Sequence, residues 1–197
     1  MSQKVLRRRD EAPGIGLRAV LAAQAEGTTK TPIPSPPNDA DTVKATCDSF
    51  TLQSFTAEDA WELGHLLYAR LLPFASAGQP TLISIALAHN QHVLFQAAVG
   101  SGTQPDNDVW VQRKRNTVLR FGTSSWFQHC KYSGDEEAFR KKFGLSVEQG
   151  GQYAIHGGGV PIRVGGVEGI VAVVVVSGLK QHEDHGVIVD VINSNWV

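Results

Sequence analysis

His156 stands immediately before three consecutive glycines, Gly157, Gly158 and Gly159. An imidazole can ligate a metal or move a proton near neutral pH, and a following loop without side chains leaves room for a ligand and bare amides to face an anion. The simpler reading is a hydrogen-bonded structural histidine followed by a tight strand connection. His185 is the second candidate: with His182 three residues earlier it shares a helix face, and Glu183 and Asp184 lie between them. Exposed histidines among helix-start acids are the simpler explanation of that run. Upstream, Arg113 and Lys114 follow Trp110, so cationic donors for an acidic group adjoin an indole that can stack on a planar one. A solvated helix face or ion pairs at a subunit contact would produce the same run. Cys130, among Trp126, Phe127 and Tyr132, reads as buried packing rather than as a nucleophile.

Other chemistries lack their signatures. There is no GxGxxG between a strand and a helix, no P-loop Lys-Ser/Thr pair, no HExxH and no Cys/His quartet, and no metal site is assigned. No Ser/His/Asp motif or catalytic carboxylate pair stands out.

The elements that must position these residues follow from periodicity. Thr56 is a plausible N-cap with Glu58 and Asp59 in the first turn, and Ala60, Leu63, Leu67 and Leu71 recur at helical spacing up to Pro73. Residues 81–88 and 92–99 read as a hairpin. Asp106 or Asn107 caps a helix ending at Gly122, and short helices are expected over 124–130 and 135–143. Three strands, 153–156, 160–164 and 167–176, follow, the last two joined by Gly165-Gly166, and a helix over 181–196 closes the chain. Tight hairpins demand antiparallel strands, so the class is α+β.

Composition bounds the rest. Apolar residues make up 42% of the 197, and 18 basic against 19 acidic side chains leave a charge of −1, which argues against nucleic-acid binding. The longest apolar run, Ile170 to Val176, is far short of the roughly 20 residues of a spanning helix, so no membrane partner is expected. Two cysteines and no signal-peptide pattern make a cytoplasmic, reducing location the expectation. Five of the nine prolines fall within residues 1–49. That stretch reads as a flexible arm before a domain at 50–197, and deleting residues 1–45 is expected to leave the fold intact. Acids inside its basic start argue against a mitochondrial leader.

Three blocks, DNDVWVQRKRNTVLRFGTSSW, YAIHGGGVPIRV and SGLKQHEDH, resemble the fungal branch of the GlcG/HbpS-like, "haem-degrading" domain family over about Phe50 to Trp196. The resemblance implies a profilin-like sandwich, a five-stranded antiparallel sheet with helices on both faces, and a homo-oligomer larger than a dimer. The exposed apolar surface expected at Val173 and Val175 points the same way. The resemblance also makes haem or another tetrapyrrole the leading ligand, and assigns no residue a catalytic role. The expected site joins Trp110, Arg113, Lys114, His156, Gly157, Gly158, Gly159 and His185. Three functions compete: an oligomeric small-molecule or cofactor binder; a biosynthetic isomerase, cyclase or hydrolase with His156 or His185 as acid/base; and an interaction protein acting through its own assembly.

Overall fold

Both expected hairpins form part of a larger sheet in the computed structural model, which describes residues 4–25 and 29–197. The strands are β1 (Val5–Leu6), β2 (Phe50–Leu52), β3 (Thr81–Leu87), β4 (Val93–Val99), β5 (Gly159–Val164) and β6 (Ala172–Ser177). Their order is β1-β2-β5-β6-β3-β4. β3 pairs antiparallel with β4 and β6, and β6 with β5, but β2 runs parallel to β5, and β1 parallel to β2. The expected five-stranded antiparallel sheet is therefore corrected to a six-stranded mixed one. Hairpin reasoning sees only strands that are neighbours in sequence, and β1 and β2 reach the sheet by long connections. They are also too short to show an alternating pattern.

The helices are α1 (Ile15–Ala25), α2 (Ala40–Thr46), α3 (Ala57–Ser76), α4 (Pro105–Phe121), α5 (Ser125–Lys131), α6 (Glu136–Lys142), α7 (Val147–Gly150) and α8 (Gln181–Asn195). α3 starts on a capping box between Thr56 and Asp59. It continues past Pro73, because one missing N–H in the last turn does not stop the Pro73 carbonyl from accepting from Ala77. α4 is capped by Gln104, with Asn107 reaching back to the Gln104 amide, and closes on Gly122 at φ 70°.

The sheet is covered on both faces. Leu63, Leu67, Leu71 and Phe74 of α3 and Val187, Ile188 and Ile192 of α8 pack on one face, against Ile83, Ile85, Val174, Val176 and Ile162. On the other face α4 sets Val111 and Val118 against Leu82, Val173 and Val175. Val173 and Val175 are thus buried by the chain itself, so they supply no surface for self-association.

The expected strand over 153–156 is absent. These residues lie along α4 instead, where the Thr117 hydroxyl donates to the Ala154 carbonyl at 2.8 Å and Arg113 Nε to the Tyr153 carbonyl at 3.1 Å. Between β5 and β6 the connection is longer than the expected two-residue loop, spanning 165–171.

The flexible-arm reading is overturned for the described part of residues 1–49. β1 extends the sheet, and Arg7 and Val197 exchange backbone hydrogen bonds at 2.8 Å. Glu62, buried in α3, accepts the Gly14 and Gly16 amides at 2.6 and 2.7 Å and so caps the start of α1. The proline-rich stretch lies along α8: Ile33 is buried, the Pro37 carbonyl accepts the Trp126 indole N–H at 2.7 Å, and a Cβ on Gly186 would meet the Pro34 carbonyl. Prolines here fix an extended path over a packed surface rather than mark its absence.

Candidate functional site

Helical spacing places Trp110, Arg113 and Lys114 on neighbouring positions of α4, and the segment pinned to that helix brings His156 beside them. The Trp110 and His156 rings meet edge to face at 4.9 Å, and the Arg113 guanidinium lies 4.5 Å over the indole. The indole N–H donates to Asp106 at 2.8 Å, which fixes the ring from its other end. This wall borders a groove of about 380 Å³, closed opposite by Ser177, Gly178 and Leu179 at the end of β6 and by Gln181 of α8.

Lys114 and Asp184 lie at its floor. Lys114 Nζ stands 2.9 Å from Asp184 Oδ2 and donates to the Val176 carbonyl at 3.0 Å, while Asp184 Oδ1 accepts from the Leu179 amide at 2.9 Å. Both side chains are only 3% exposed. Burial pushes the Asp184 carboxyl up, and the Lys114 ammonium and the Leu179 and Gly178 amides draw it back down. A buried ion pair seldom adds net stability over an apolar pair, so its presence beneath an open groove points to a role beyond the fold.

His156 is neutral at pH 7. Burial lowers its pKa and the nearby Lys114, Arg113 and His129 add to the effect, against a raising influence from Glu136. Its Nδ1 lies 3.4 Å from Glu136 Oε1 without forming a well-aligned hydrogen bond. Periodicity gave no sign of Glu136, because a first-turn acid on α6 reads as an ordinary dipole partner.

The other expected residues are placed differently. Arg113 turns away toward Tyr153 and Glu136, the latter at 3.7 Å. The glycines form no ligand cradle and are buried: a Cβ on Gly157 would strike the Gln181 carbonyl at 2.2 Å, and Gly158, at φ 109°, would strike Val176 O at 2.3 Å. Gly159 donates its amide to Ser125 Oγ at 2.9 Å. These residues let the segment pass tightly between α4, α5 and α8, which is what positions His156.

His185 belongs to the core. It is fully buried, stacked at 6.2 Å on Trp126, and burial pushes its pKa down to about 3. Helix phase explains the difference from His182: α8 turns Asp184 and His185 inward and leaves His182 half-buried at its edge. An unfolded histidine takes up its proton below about pH 6.5 whereas the folded one stays neutral, so stability falls as pH drops from about 6.5 toward 3. One such proton contributes about 1.4 kcal/mol per pH unit. His129 and His156, both lowered by burial, act in the same direction. Urea unfolding at pH 7, 6, 5 and 4 is expected to show this loss, with a shallower slope in His185→Phe. Equal slopes in the two proteins would remove His185 from the account.

Cys47 and Cys130 carry thiols raised by burial, the latter to about 11, and neither suits nucleophilic work. Among the described residues no group of three or more His, Cys, Asp or Glu side chains is arranged to hold a metal, and no helix is long and apolar enough to cross a membrane.

The chain is thus an α+β protein whose mixed sheet is flanked by helices, with a polar-floored groove between one helix and the end of a central strand. Residues 55–193 match the family described as "Haem degrading protein HbpS-like", and the chain belongs to that family. It is 37% identical over 142 residues to a UPF0303 protein of Streptomyces avermitilis, covering 72% of this chain and 81% of the relative. It is 40% identical over 134 residues to the UPF0303 protein YBR137W of Saccharomyces cerevisiae, covering 68% and 71%. The crystal structure of Ybr137w superposes with a TM-score of 0.68 at 33% identity, over 87% of this chain and 91% of that one. HbpS itself shares the fold, with a TM-score of 0.50 at 16% identity over 71% and 89%.

Proposed function

We propose that the chain binds a small planar molecule, uncharged or cationic, in the groove walled by Trp110 and His156. The observation that carries this reading is the buried Lys114–Asp184 pair under two edge-to-face rings. An aromatic wall gives affinity for a planar group, and a polar floor fixes its orientation.

Haem, the ligand the family's name suggests, fits half of this site. A neutral His156 suits an axial ligand, and Glu136 beside Nδ1 suits its orientation. The propionates do not fit: Arg113 is engaged by Glu136 and Tyr153, Lys114 by Asp184 and Val176, and Asp106 stands at the wall. Two anionic groups would meet acids and cations already paired. The test is a parallel titration with haemin and with adenine and nicotinamide as uncharged planar probes, reading the Soret band and tryptophan fluorescence. The uncharged probes should quench wild-type fluorescence and fail to do so in Trp110→Ala. Stoichiometric haemin binding with a Soret shift lost in His156→Ala would overturn the assignment in favour of haem.

His156→Ala is expected to weaken binding about tenfold. It should move the thermal midpoint little, because the side chain is 38% exposed. Unfolding of this variant would show the histidine to be structural. An acid/base role rests on the same pair, since a neutral imidazole beside a carboxylate can accept a proton from a bound substrate. Conversion of a bound probe, lost in His156→Ala, would establish it.

Self-association is a separate proposal, and the partner is a second copy of the chain. β4 is an edge strand of sequence VLFQAAV without a charge, and Leu17, Trp61 and Phe95 line an apolar cleft of about 400 Å³ between α1, α3 and β4. Uncharged edges pair readily with their own kind. Light scattering is expected to report an oligomer that Phe95→Lys dissociates; a wild-type monomer at micromolar concentration contradicts this.

A further inference from the structure

A second cavity, of about 630 Å³, shares no residue with the groove. It opens where the C-terminal turn of α2 (Thr46), the residue before β1 (Lys4), β5 (Arg163) and α8 (Asn193) come together. Its lining includes three cations, Lys4, Lys44 and Arg163, and no aspartate or glutamate. Lys44 is neutralised by Asp48 at 2.7 Å. Lys4 and Arg163 form no ion pair with any of the described residues. In a chain of 18 basic and 19 acidic side chains, two unopposed cations in one concavity are a local excess.

Arg163 is held for such a task. It is paired in register with Thr51 across β2 and β5, and its Nη2 donates to the Gly122 carbonyl at 2.9 Å. That bond to the end of α4 anchors one end of the guanidinium, and among the described residues its other donors have no hydrogen-bond partner. A planar fork matches two oxygens of a tetrahedral anion, and the Lys4 ammonium adds a point charge.

We propose that this cavity binds a soluble small molecule bearing a phosphate monoester. Two cations without an ion pair among the described residues match the two charges of a phosphate dianion, whereas a single carboxylate would leave one of them unmatched. The volume exceeds that of a phosphate group and accommodates the sugar or nucleoside it esterifies. The concave shape favours a soluble ester over the same group on a lipid surface.

The test is calorimetric titration of the full chain with inorganic pyrophosphate at low ionic strength, beside vesicles containing phosphatidylinositol 4-phosphate. Saturable binding of one pyrophosphate per chain is expected. Arg163→Gln should weaken it about tenfold, Lys4→Gln by less, and Lys141→Gln on α6 should leave it unchanged. Arg163→Lys should recover part of the affinity, and Lys4→Gln, at an exposed position, tests the site even if an Arg163 variant folds poorly. Absence of saturable binding, or equal weakening by Lys141→Gln, overturns the proposal. Vesicle binding without pyrophosphate binding overturns it too, and assigns the cations to a membrane surface.

Discussion

A chain that begins at Phe50 is expected to lose its cooperative unfolding transition. Val20, Ile33, Val43 and Cys47 are each at most 8% exposed, and all four would be removed. Burying an aliphatic side chain contributes about 1.5–3 kcal/mol, so the four together rival the roughly 5–15 kcal/mol that holds a domain folded. The deletion also strips β1 from β2 and takes away the bond that satisfies the Trp126 indole. Glu62 would lose the two amides it caps, and Trp196, at 3% exposure, would lose its bridge to Arg8. Circular dichroism on heating distinguishes the outcomes. A broad, early or absent transition is the expected result; an unchanged midpoint would show the N-terminal elements to be dispensable.

Breaking the ion pair beneath the groove is the second large effect. Lys114→Met leaves Asp184 buried without its cation, and removing one partner of a buried pair costs about 3–5 kcal/mol. The carboxyl would meet this by taking up a proton, in the direction that burial already pushes it. Relative to the wild type at the same pH, the variant should therefore be markedly destabilised at pH 7 and less so near pH 5. In Lys114→Met/Asp184→Leu most of the stability should return, because an apolar pair of similar volume fills the same space. Ligand binding should not return with it. If the double variant binds like the wild type, the pair is a packing device and the groove's floor is not part of the site. Denaturant midpoints of the three proteins at both pH values supply the comparison.

The legible parts of the fold were those with long local patterns. α3, α4 and α8 and the β3–β4 hairpin fall within a few residues of the periodic segments, because each buries one face over at least two turns or seven strand residues. β1 and β2 escaped because two- and three-residue strands have no period, β1 pairs only with the equally short β2, and β2's other partner β5 lies more than a hundred residues away. The proline-rich stretch misled for a different reason: its low apolar content is compensated by partners on α5 and α3 rather than by its own core. Of the residues that line the groove, Trp110, Lys114 and His156 were recognisable from residue type, and the first two from helical spacing. His185 and the three glycines were misassigned because one sequence does not say whether a small or imidazole-bearing residue faces a ligand or a packed helix. Glu136 reached the site through the folding back of α6, which no local spacing encodes.

Whether the Trp110–His156 groove holds a small molecule is tested most directly by native mass spectrometry of the protein purified from its own host. A retained mass of one ligand per chain is expected in the wild type, absent from Trp110→Ala and reduced in His156→Ala, with all three proteins equally folded. A bare polypeptide mass in the wild type, or a retained mass that both substitutions leave in place, would contradict the claim.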